Sequence, residues 1–385
     1  MTVAGGTSTG SKRGPALFGT ASEPGLPTAM AWSRGVRIGD TAGREYLDFV
    51  MALGAVSLGY GHPEVNAAAA QALDRGMVGP LPPVEEALLA AELAAAMPWL
   101  ESVRFLKTGA EAVAAAVRLA RTHTGRDRVV GCGYHGWLDG VSHEAGVPAA
   151  VRRLYQTVPF NDVEAARRTI REVGDELALV IVEPVVDGPP AVEWLRVLRD
   201  ETERVGAALV FDEIKTGFRV AVGGAVERWG VRPDLAVYGK GLANGFPLAV
   251  VGGGGAIMAG VDRTWISSTL ATESVALAAA RATLAVIRRD RFPDHAGRLG
   301  GRLMAGLQTL AGEYPDLVAA ASGIAEMCYL RYRSDEIGGR VAAAAARRGL
   351  LFKRSAYNFV ALAHQDADVD QALGVLGESL REVGR

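Results

Sequence analysis

Residues 179–212 decide the fold, and they read LVIVEPVVDGPPAVEWLRVLRDETERVGAALVFD. Two short apolar runs, Leu179–Val182 and Ala208–Phe211, flank a longer segment, Ala191–Val205, whose apolar residues recur at helical spacing. A strand, a helix and a second strand in this order predict a βαβ unit, because two parallel strands need a crossover connection of about this length.

The same alternation extends along the chain in both directions. Further patterns predict strands at Val103–Leu106, Leu235–Tyr238 and Leu248–Val251 and helices at Ala110–Arg121 and Val163–Val173. The sequence therefore predicts an α/β fold with a large, doubly wound, mostly parallel sheet that helices cover on both faces. After Thr272 the pattern changes to two long helices, Ser274–Arg288 and His295–Tyr314, and a strand-helix-strand-helix tail. This change predicts a second, smaller α+β domain.

The predicted domain boundaries follow from these changes in pattern. Residues 1–28 are rich in Gly, Ser, Thr and Pro without periodicity, so we expect a flexible N-terminal tail. The large domain is expected over residues 81–272. The small domain is expected to combine residues 29–80 with residues 273–385.

The overall composition narrows the classes of function. Lys and Arg number 41 against 43 Asp and Glu, and both signs are scattered, so the sequence lacks the basic stretches that bind nucleic acid or anionic membranes. The two cysteines lack the spacing of a zinc site or of a disulfide framework. No segment has the apolar length of a membrane span or a secretion signal, so we expect a soluble, cytoplasmic protein that binds small molecules.

Polar residues follow the predicted strands at the ends where ligands bind in parallel α/β sheets. Asp212 follows one strand, and Lys240 follows the next between two glycines. Such a lysine forms an imine with an aldehyde once burial lowers its pKa, although a solvated lysine in a turn fits the spacing equally well. A buried aspartate needs a cation such as a protonated ring nitrogen, or else it caps a helix.

Two further strand ends carry groups that suit a phosphorylated aromatic ligand. The segment Thr108-Gly109-Ala110 opens a predicted helix, whose first backbone N–H groups attract phosphate. Tyr134 offers an aromatic face for stacking on a ring, but an aromatic residue at a strand end more often packs in the core.

These motifs occur together and in order, and their sequences resemble those of the class III aminotransferases. The class III aminotransferases are pyridoxal-phosphate (PLP) enzymes of fold type I. The resemblance rests first on VFDEIKTGFR at residues 210–219 and DLAVYGKGLANGFP at residues 234–247. Further blocks are TGAEAVAAAVRLAR at 108–121, GYHG at 133–136 and SSTLATESVALAAA at 267–280. The resemblance covers roughly residues 30–385. Within this family, the chain is most similar to the branch of glutamate-1-semialdehyde aminomutase.

The resemblance implies PLP as the cofactor, with Lys240 bound to its aldehyde as a Schiff base and Asp212 holding its pyridine nitrogen. The other implied contacts are Gly109 and Ala110 for the phosphate, Tyr134 and Ile214 for the two ring faces, and Thr269 for the phosphate of a partner subunit's cofactor. A symmetric homodimer with shared active sites is therefore implied. The roles of Glu183, His135 and Arg219 stay open.

The implied activity is the transfer of an amino group between an amine or amino acid donor and a carbonyl acceptor. An aminomutase or a racemase would use the same residues, and a catalytically silent binding protein is a third hypothesis.

Three positions depart from the aminomutase pattern for binding the substrate. Trp32, the segment 52–54 (Ala-Leu-Gly) and Ala356 stand where those enzymes have charged or hydrogen-bonding groups. A carboxylate buried without its cation costs several kcal/mol, so we expect a less acidic substrate unless another basic residue substitutes. The candidate substitutes are Arg34, Lys353 and Arg354.

Overall fold

A computed structural model describes residues 3–19 and 23–385. The contacts divide the chain into two compact units. Unit 1 consists of the described residues up to His62 together with Arg291–Arg385, and unit 2 consists of Pro63–Asp290.

The strands are β1 Met30–Arg34, β2 Arg37–Asp40, β3 Glu45–Asp48, β4 Ser102–Leu106, β5 Arg128–Cys132, β6 Tyr155–Thr157, β7 Leu177–Val182, β8 Ala208–Asp212, β9 Leu235–Tyr238, β10 Ala249–Gly253, β11 Val318–Ile324, β12 Met327–Tyr332, β13 Leu350–Leu351 and β14 Asn358–Phe359. The helices are α1 Gly14–Phe18, α2 Met51–Gly54, α3 Pro63–Arg75, α4 Val84–Ala96, α5 Gly109–Thr124, α6 Ala149–Arg152, α7 Val163–Val173, α8 Val192–Val205, α9 Gly224–Trp229, α10 Gly255–Met258, α11 Ser274–Arg289, α12 Phe292–Glu313, α13 Asp335–Arg347 and α14 Asp366–Val383. Short 3-10 turns include Lys240–Ala243 and Thr269–Thr272. No described helix is long and apolar enough to cross a membrane.

Unit 2 is built on a seven-stranded sheet with the order β4-β10-β9-β8-β7-β5-β6. Strand β10 is antiparallel to both of its neighbours, and the other pairs of strands are parallel. Every residue of β7 and β8 is buried, as a parallel sheet with two covered faces requires. The predicted large, doubly wound, mostly parallel sheet is confirmed.

Local chemistry sets the bounds of the crossover helices. Helix α7 begins at Val163 because the carboxylate of Asp162 accepts a hydrogen bond from the N–H of Ala165 at 2.8 Å. Helix α8 ends at Val205 because Gly206 takes the left-handed conformation that stops a helix, with φ of 69°. Helix α5 buries an alanine-rich face in the core of the sheet.

Unit 1 contains two smaller sheets, with the orders β1-β2-β3-β13 and β11-β12-β14. Its core includes Leu299, Leu303 and Leu307 of α12, which are four residues apart and therefore lie on one helical face. Helices α13 and α14 pack on each other and complete a smaller α+β body, as the sequence predicts.

The boundaries of the compact units differ from the predicted domain boundaries. Helix α11 packs against α3 and α4, so residues 63–80 and 273–290 belong to unit 2. Part of the predicted tail is also packed, because Phe18 and Leu26 lie in a buried apolar cluster with alanines of α13. Residues 1–2 and 20–22 of that predicted tail lie outside the described residues.

Replacing Gly300 by alanine is expected to destabilise the chain, because a Cβ atom there would lie 1.9 Å from the carbonyl oxygen of Ala325. We expect the free energy of unfolding, measured by urea denaturation, to fall by about 1–3 kcal/mol, the usual cost of overpacking. The matched control is Gly301→Ala in the same helix, where a Cβ atom would meet no described atom within 4 Å apart from its chain neighbours and the nearby backbone of its own helix. This control should gain roughly 0.5–1 kcal/mol because alanine favours the helix, and equal effects of the two changes would contradict this packing.

Candidate active site

The carboxyl ends of parallel strands bring the predicted site residues to one edge of the large sheet. Asp212 ends β8, and Lys240 follows the end of β9 by two residues. These strands are parallel neighbours in which Asp212 is paired with Val237. Residues far apart in sequence therefore meet where ligands bind in such sheets.

The Asp212 carboxylate is 3% exposed and is held in place by two hydrogen bonds. Its Oδ2 lies 2.8 Å from Nδ1 of His135, and its Oδ1 accepts the N–H of Ile214 at 3.2 Å. Residues 213–223 form turns, so Asp212 begins no helix and the helix-cap reading is not supported. Because a buried carboxylate is stable only when paired, Asp212 fits a cationic ring nitrogen.

His135 acts on this carboxylate and not on the solvent side of the site. Its side chain is fully buried. Its Nε2 has no hydrogen-bond partner among the described residues. With Nδ1 facing Asp212, the ring fixes the orientation of the carboxylate.

Lys240 is half-buried and takes a left-handed backbone conformation, with φ of 43°. Burial, and next the nearby charge of Lys215, lower the pKa of Lys240 to about 8, against the opposing charges of Glu183 and Asp212. A lowered pKa leaves more of the amine uncharged near neutral pH, which is the form that attacks a carbonyl.

The glycines around the site allow side chains and backbone to approach closely. A Cβ atom at Gly239 would lie 2.9 Å from Cδ1 of Ile214, and one at Gly109 would lie 3.0 Å from the same carbon. Ile214 therefore packs against the residue before Lys240 and against the first residue of α5. The family resemblance implies that Ile214 lies on one face of the cofactor ring, and its position between these two elements is compatible with that role.

The first turn of α5 leaves backbone donors for an anion. Thr108 and Glu111 form a capping box in which the Thr108 hydroxyl accepts the Glu111 N–H at 3.2 Å. The Ala112 N–H donates to the Thr108 carbonyl at 3.1 Å. The N–H groups of Gly109 and Ala110 are not used by these bonds, and with the helix dipole they suit a phosphate.

Tyr134 and Thr269 lie on exposed segments of unit 2. The Tyr134 side chain is 71% exposed, and its backbone N–H donates to Oε2 of Glu183 at 2.9 Å. Thr269 begins an exposed 3-10 turn. The structure shows neither residue packed in a core, and their predicted contacts with the cofactor stay predictions.

The structure contains a buried ion pair near Lys240 that the sequence did not predict. Lys215 Nζ lies 2.8 Å from Oε1 of Glu183, so Glu183 binds both this lysine and the Tyr134 loop. Arg219 is buried and donates from Nε to the carbonyl of Lys215 at 3.2 Å. The sequence feature that could have indicated this pair is the presence of opposite charges after two neighbouring strands, Glu183 after β7 and Lys215 after β8.

Glu273 has a structural role at the start of α11. Its carboxylate accepts the N–H groups of Val275 and Ala276 at 2.8 and 3.0 Å. It also pairs with Nζ of Lys107 at 2.6 Å. The segment Thr272-Glu273-Ser274 therefore caps the helix and ties it to the turn before α5.

In unit 1, two of the possible substitutes for the missing substrate-binding groups are engaged in local bonds. Lys353 Nζ donates to the carbonyl of Ala356 at 2.5 Å. Arg354 pairs with Asp335 and donates to the carbonyl of Pro15 at 3.0 Å. Trp32, Arg34 and the segment 52–54 lie in the same unit.

Comparisons with known proteins show the family of this chain. The sequence pattern described as aminotransferase class-III matches residues 19–380. The chain is 36% identical to a glutamate-1-semialdehyde 2,1-aminomutase from Pyrobaculum calidifontis, over 88% of this chain and 85% of that protein. The solved PLP internal aldimine form of the FumI protein from Sphingopyxis sp. MTA144 superposes with a TM-score of 0.92 and 26% identity, over 100% of this chain and 94% of that one. An ω-transaminase from Sphaerobacter thermophilus superposes with a TM-score of 0.89 and 26% sequence identity, over 100% of this chain and 95% of that chain.

The residues at the sheet edge fit a phosphorylated pyridine aldehyde. Lys240 supplies an amine of lowered pKa, and the buried Asp212 supplies an anion for a ring cation. The N–H groups of Gly109 and Ala110 supply donors for a phosphate.

Loss of the capping box should weaken the start of α5. Thr108→Ala is expected to lower the free energy of unfolding by about 1 kcal/mol, because the Glu111 N–H loses its acceptor. Thr122→Ala is the control in the same helix, since its hydroxyl donates only to the Arg118 carbonyl one turn earlier. Thermal unfolding should show little or no loss for the control, and a loss equal to that of Thr108→Ala would contradict the capping role.

Proposed function

Because the chain belongs to the class-III aminotransferases and its cofactor is pyridoxal phosphate, we propose that it is an aminotransferase. It would move an amino group from an amine or amino acid donor to a carbonyl acceptor. The observation that carries the proposal is the meeting of Lys240 and Asp212 at neighbouring strand ends, with the pKa of Lys240 lowered to about 8.

Each site residue has a defined task in this proposal. Lys240 would hold the cofactor through its aldehyde group, and Asp212 would pair with the protonated ring nitrogen. When bound, the cofactor supplies an electron sink that stabilises negative charge on the substrate carbon. The free Lys240 amine would take a proton from that carbon and would return a proton later in the amino transfer, so that it would act as both general base and general acid.

The surrounding residues hold these groups in place. His135 orients the Asp212 carboxylate through the 2.8 Å contact to Nδ1. Ile214 would pack on one face of the ring, and Tyr134 would stack on the other. The N–H groups of Gly109 and Ala110 would bind the phosphate.

We also propose a symmetric homodimer in which Thr269 contacts the phosphate of the cofactor bound by the partner subunit. Its support is the exposed apolar surface around this residue, where Trp265 is 80% exposed and Leu270 is 51% exposed. The two free, buried cysteines, Cys132 and Cys328, are consistent with action in the reducing cytoplasm.

An aminomutase that uses the same site is the second candidate. It is favoured by the 36% identity to the Pyrobaculum calidifontis protein of that name. The aminotransferase is favoured by the apolar residues at positions 32, 53 and 356, which differ from the aminomutase pattern, and by the TM-score of 0.89 to an ω-transaminase.

Reduction of the holoenzyme with borohydride should place a pyridoxyl group on Lys240, because only the bound lysine carries the reducible bond. The adduct is located by peptide mass spectrometry. Lys240→Ala should yield no adduct there and should lose at least about 1,000-fold in turnover, since it lacks both the bond and the proton carrier. Lys353→Ala is the control and should keep the adduct. Normal turnover by Lys240→Ala would overturn the proposal.

The need for a second substrate separates the two candidates. The holoenzyme is incubated with one amine donor at a time, with and without a carbonyl acceptor, and products are followed by chromatography. An aminotransferase stops after one equivalent per site until an acceptor is added. Continued conversion of glutamate-1-semialdehyde to its isomer without an acceptor would instead establish the aminomutase.

A further inference from the structure

The ion pair between Lys215 and Glu183 has no task in the roles assigned above. Lys215 lies three residues after β8, and Glu183 lies directly after β7, the neighbouring strand. Nζ and Oε1 are 2.8 Å apart, and the side chains are only 12% and 6% exposed. A pair withdrawn from water in this way costs desolvation energy, so stability alone is a weak reason for its presence.

Both partners of the pair are fixed by further bonds. The second oxygen of Glu183 accepts the N–H of Tyr134 at 2.9 Å. The backbone of Lys215 is held by Arg219, which donates from Nε to the Lys215 carbonyl at 3.2 Å. Glu183 therefore holds the ammonium group of Lys215, and Arg219 holds its backbone.

The charges around Lys240 act in two directions. Burial contributes most to lowering its pKa, and the charge of Lys215 contributes next, with a smaller contribution of the same sign from Arg219. Glu183 and Asp212 act in the opposite direction and raise the pKa. Lys215 is thus the nearby cation with the largest effect on the reactive amine, and Glu183 partly offsets that effect.

We propose that Lys215 is a positioning residue for the chemistry of Lys240, and that Glu183 holds its ammonium group where it favours the uncharged form of the Lys240 amine. A neighbouring cation is a known way to activate a lysine nucleophile, because a second positive charge disfavours protonation. The inference rests on the proposed function, in which Lys240 is the nucleophile and the proton carrier.

The proposal differs from a purely structural ion pair in the signs of two effects. If the pair only braced the turn, then breaking it from either side would disturb Lys240 in the same way. If Lys215 acts through its charge, then removing Lys215 raises the protonation midpoint of Lys240. Removing the charge of Glu183 lowers the same midpoint, because the Lys215 charge is then less offset.

The protonation of Lys240 can be measured directly on the full-length chain freed of cofactor. Trace acetic anhydride labels uncharged amines, and mass spectrometry of the peptides gives the labelled fraction at each pH between 6 and about 11. The chain has five lysines, so each is resolved, and the exposed Lys12 serves as the reference for reagent reactivity. The native chain should show a midpoint for Lys240 near 8.

Lys215→Met should raise this midpoint by about one pH unit, the lower range for the effect of a close charge. Glu183→Gln should lower it, while its amide oxygen still accepts the Tyr134 N–H. Lys215→Arg keeps the charge and should leave the midpoint within a few tenths of a unit. Circular dichroism confirms that each variant is folded.

Midpoints that move in the same direction in Lys215→Met and Glu183→Gln would overturn the proposal, as would an unchanged midpoint in Lys215→Met. A shift in Lys215→Arg as large as that in Lys215→Met would also overturn it. The borohydride adduct on Lys240 is measured in parallel with restored cofactor. Loss of that adduct in the native chain refutes the proposed function, whereas an intact adduct with the wrong midpoints refutes only the role of Lys215.

Discussion

The site depends on a carboxylate that is buried at the end of a parallel strand. The Asp212 carboxylate is stabilised in its buried position by His135 and by the backbone N–H of Ile214. The parallel pairing of β8 with β9 brings Lys240 to the same edge. The surrounding turns and glycines then serve to bring a ring, an amine and an anion together without steric conflict.

Burial and four nearby charges act on the pKa of Lys240: Lys215 and Arg219 lower it, and Glu183 and Asp212 raise it. The charges of Glu183 and Asp212 favour a protonated Lys240, while burial and the charge of Lys215 favour the neutral amine. Because the groups lie after three neighbouring strands, β7, β8 and β9, the sheet fixes their spacing. The balance is therefore a property of the fold and not of flexible side chains at the surface.

Much of this architecture can be predicted from the sequence, and the reason is local. The strands that carry the site are short apolar runs, and α7 follows its predicted bounds because Asp162 caps it. The pairing of Lys215 with Glu183 could not be predicted, because it joins residues 32 positions apart through the order of the strands. The grouping of α11 with the large sheet, where it packs against α4, could not be predicted either, since periodicity shows that a helix is amphipathic but not what covers it.

The left-handed backbone conformation of Lys240 lowers the stability of the fold at a position where the proposed chemistry needs a lysine. A side chain in this conformation costs about 1 kcal/mol relative to glycine, which adopts it freely. Glycine at this position would remove that cost but would also remove the amine that the proposed chemistry needs. Engineers who seek heat-resistant variants by relieving backbone strain should leave this residue untouched.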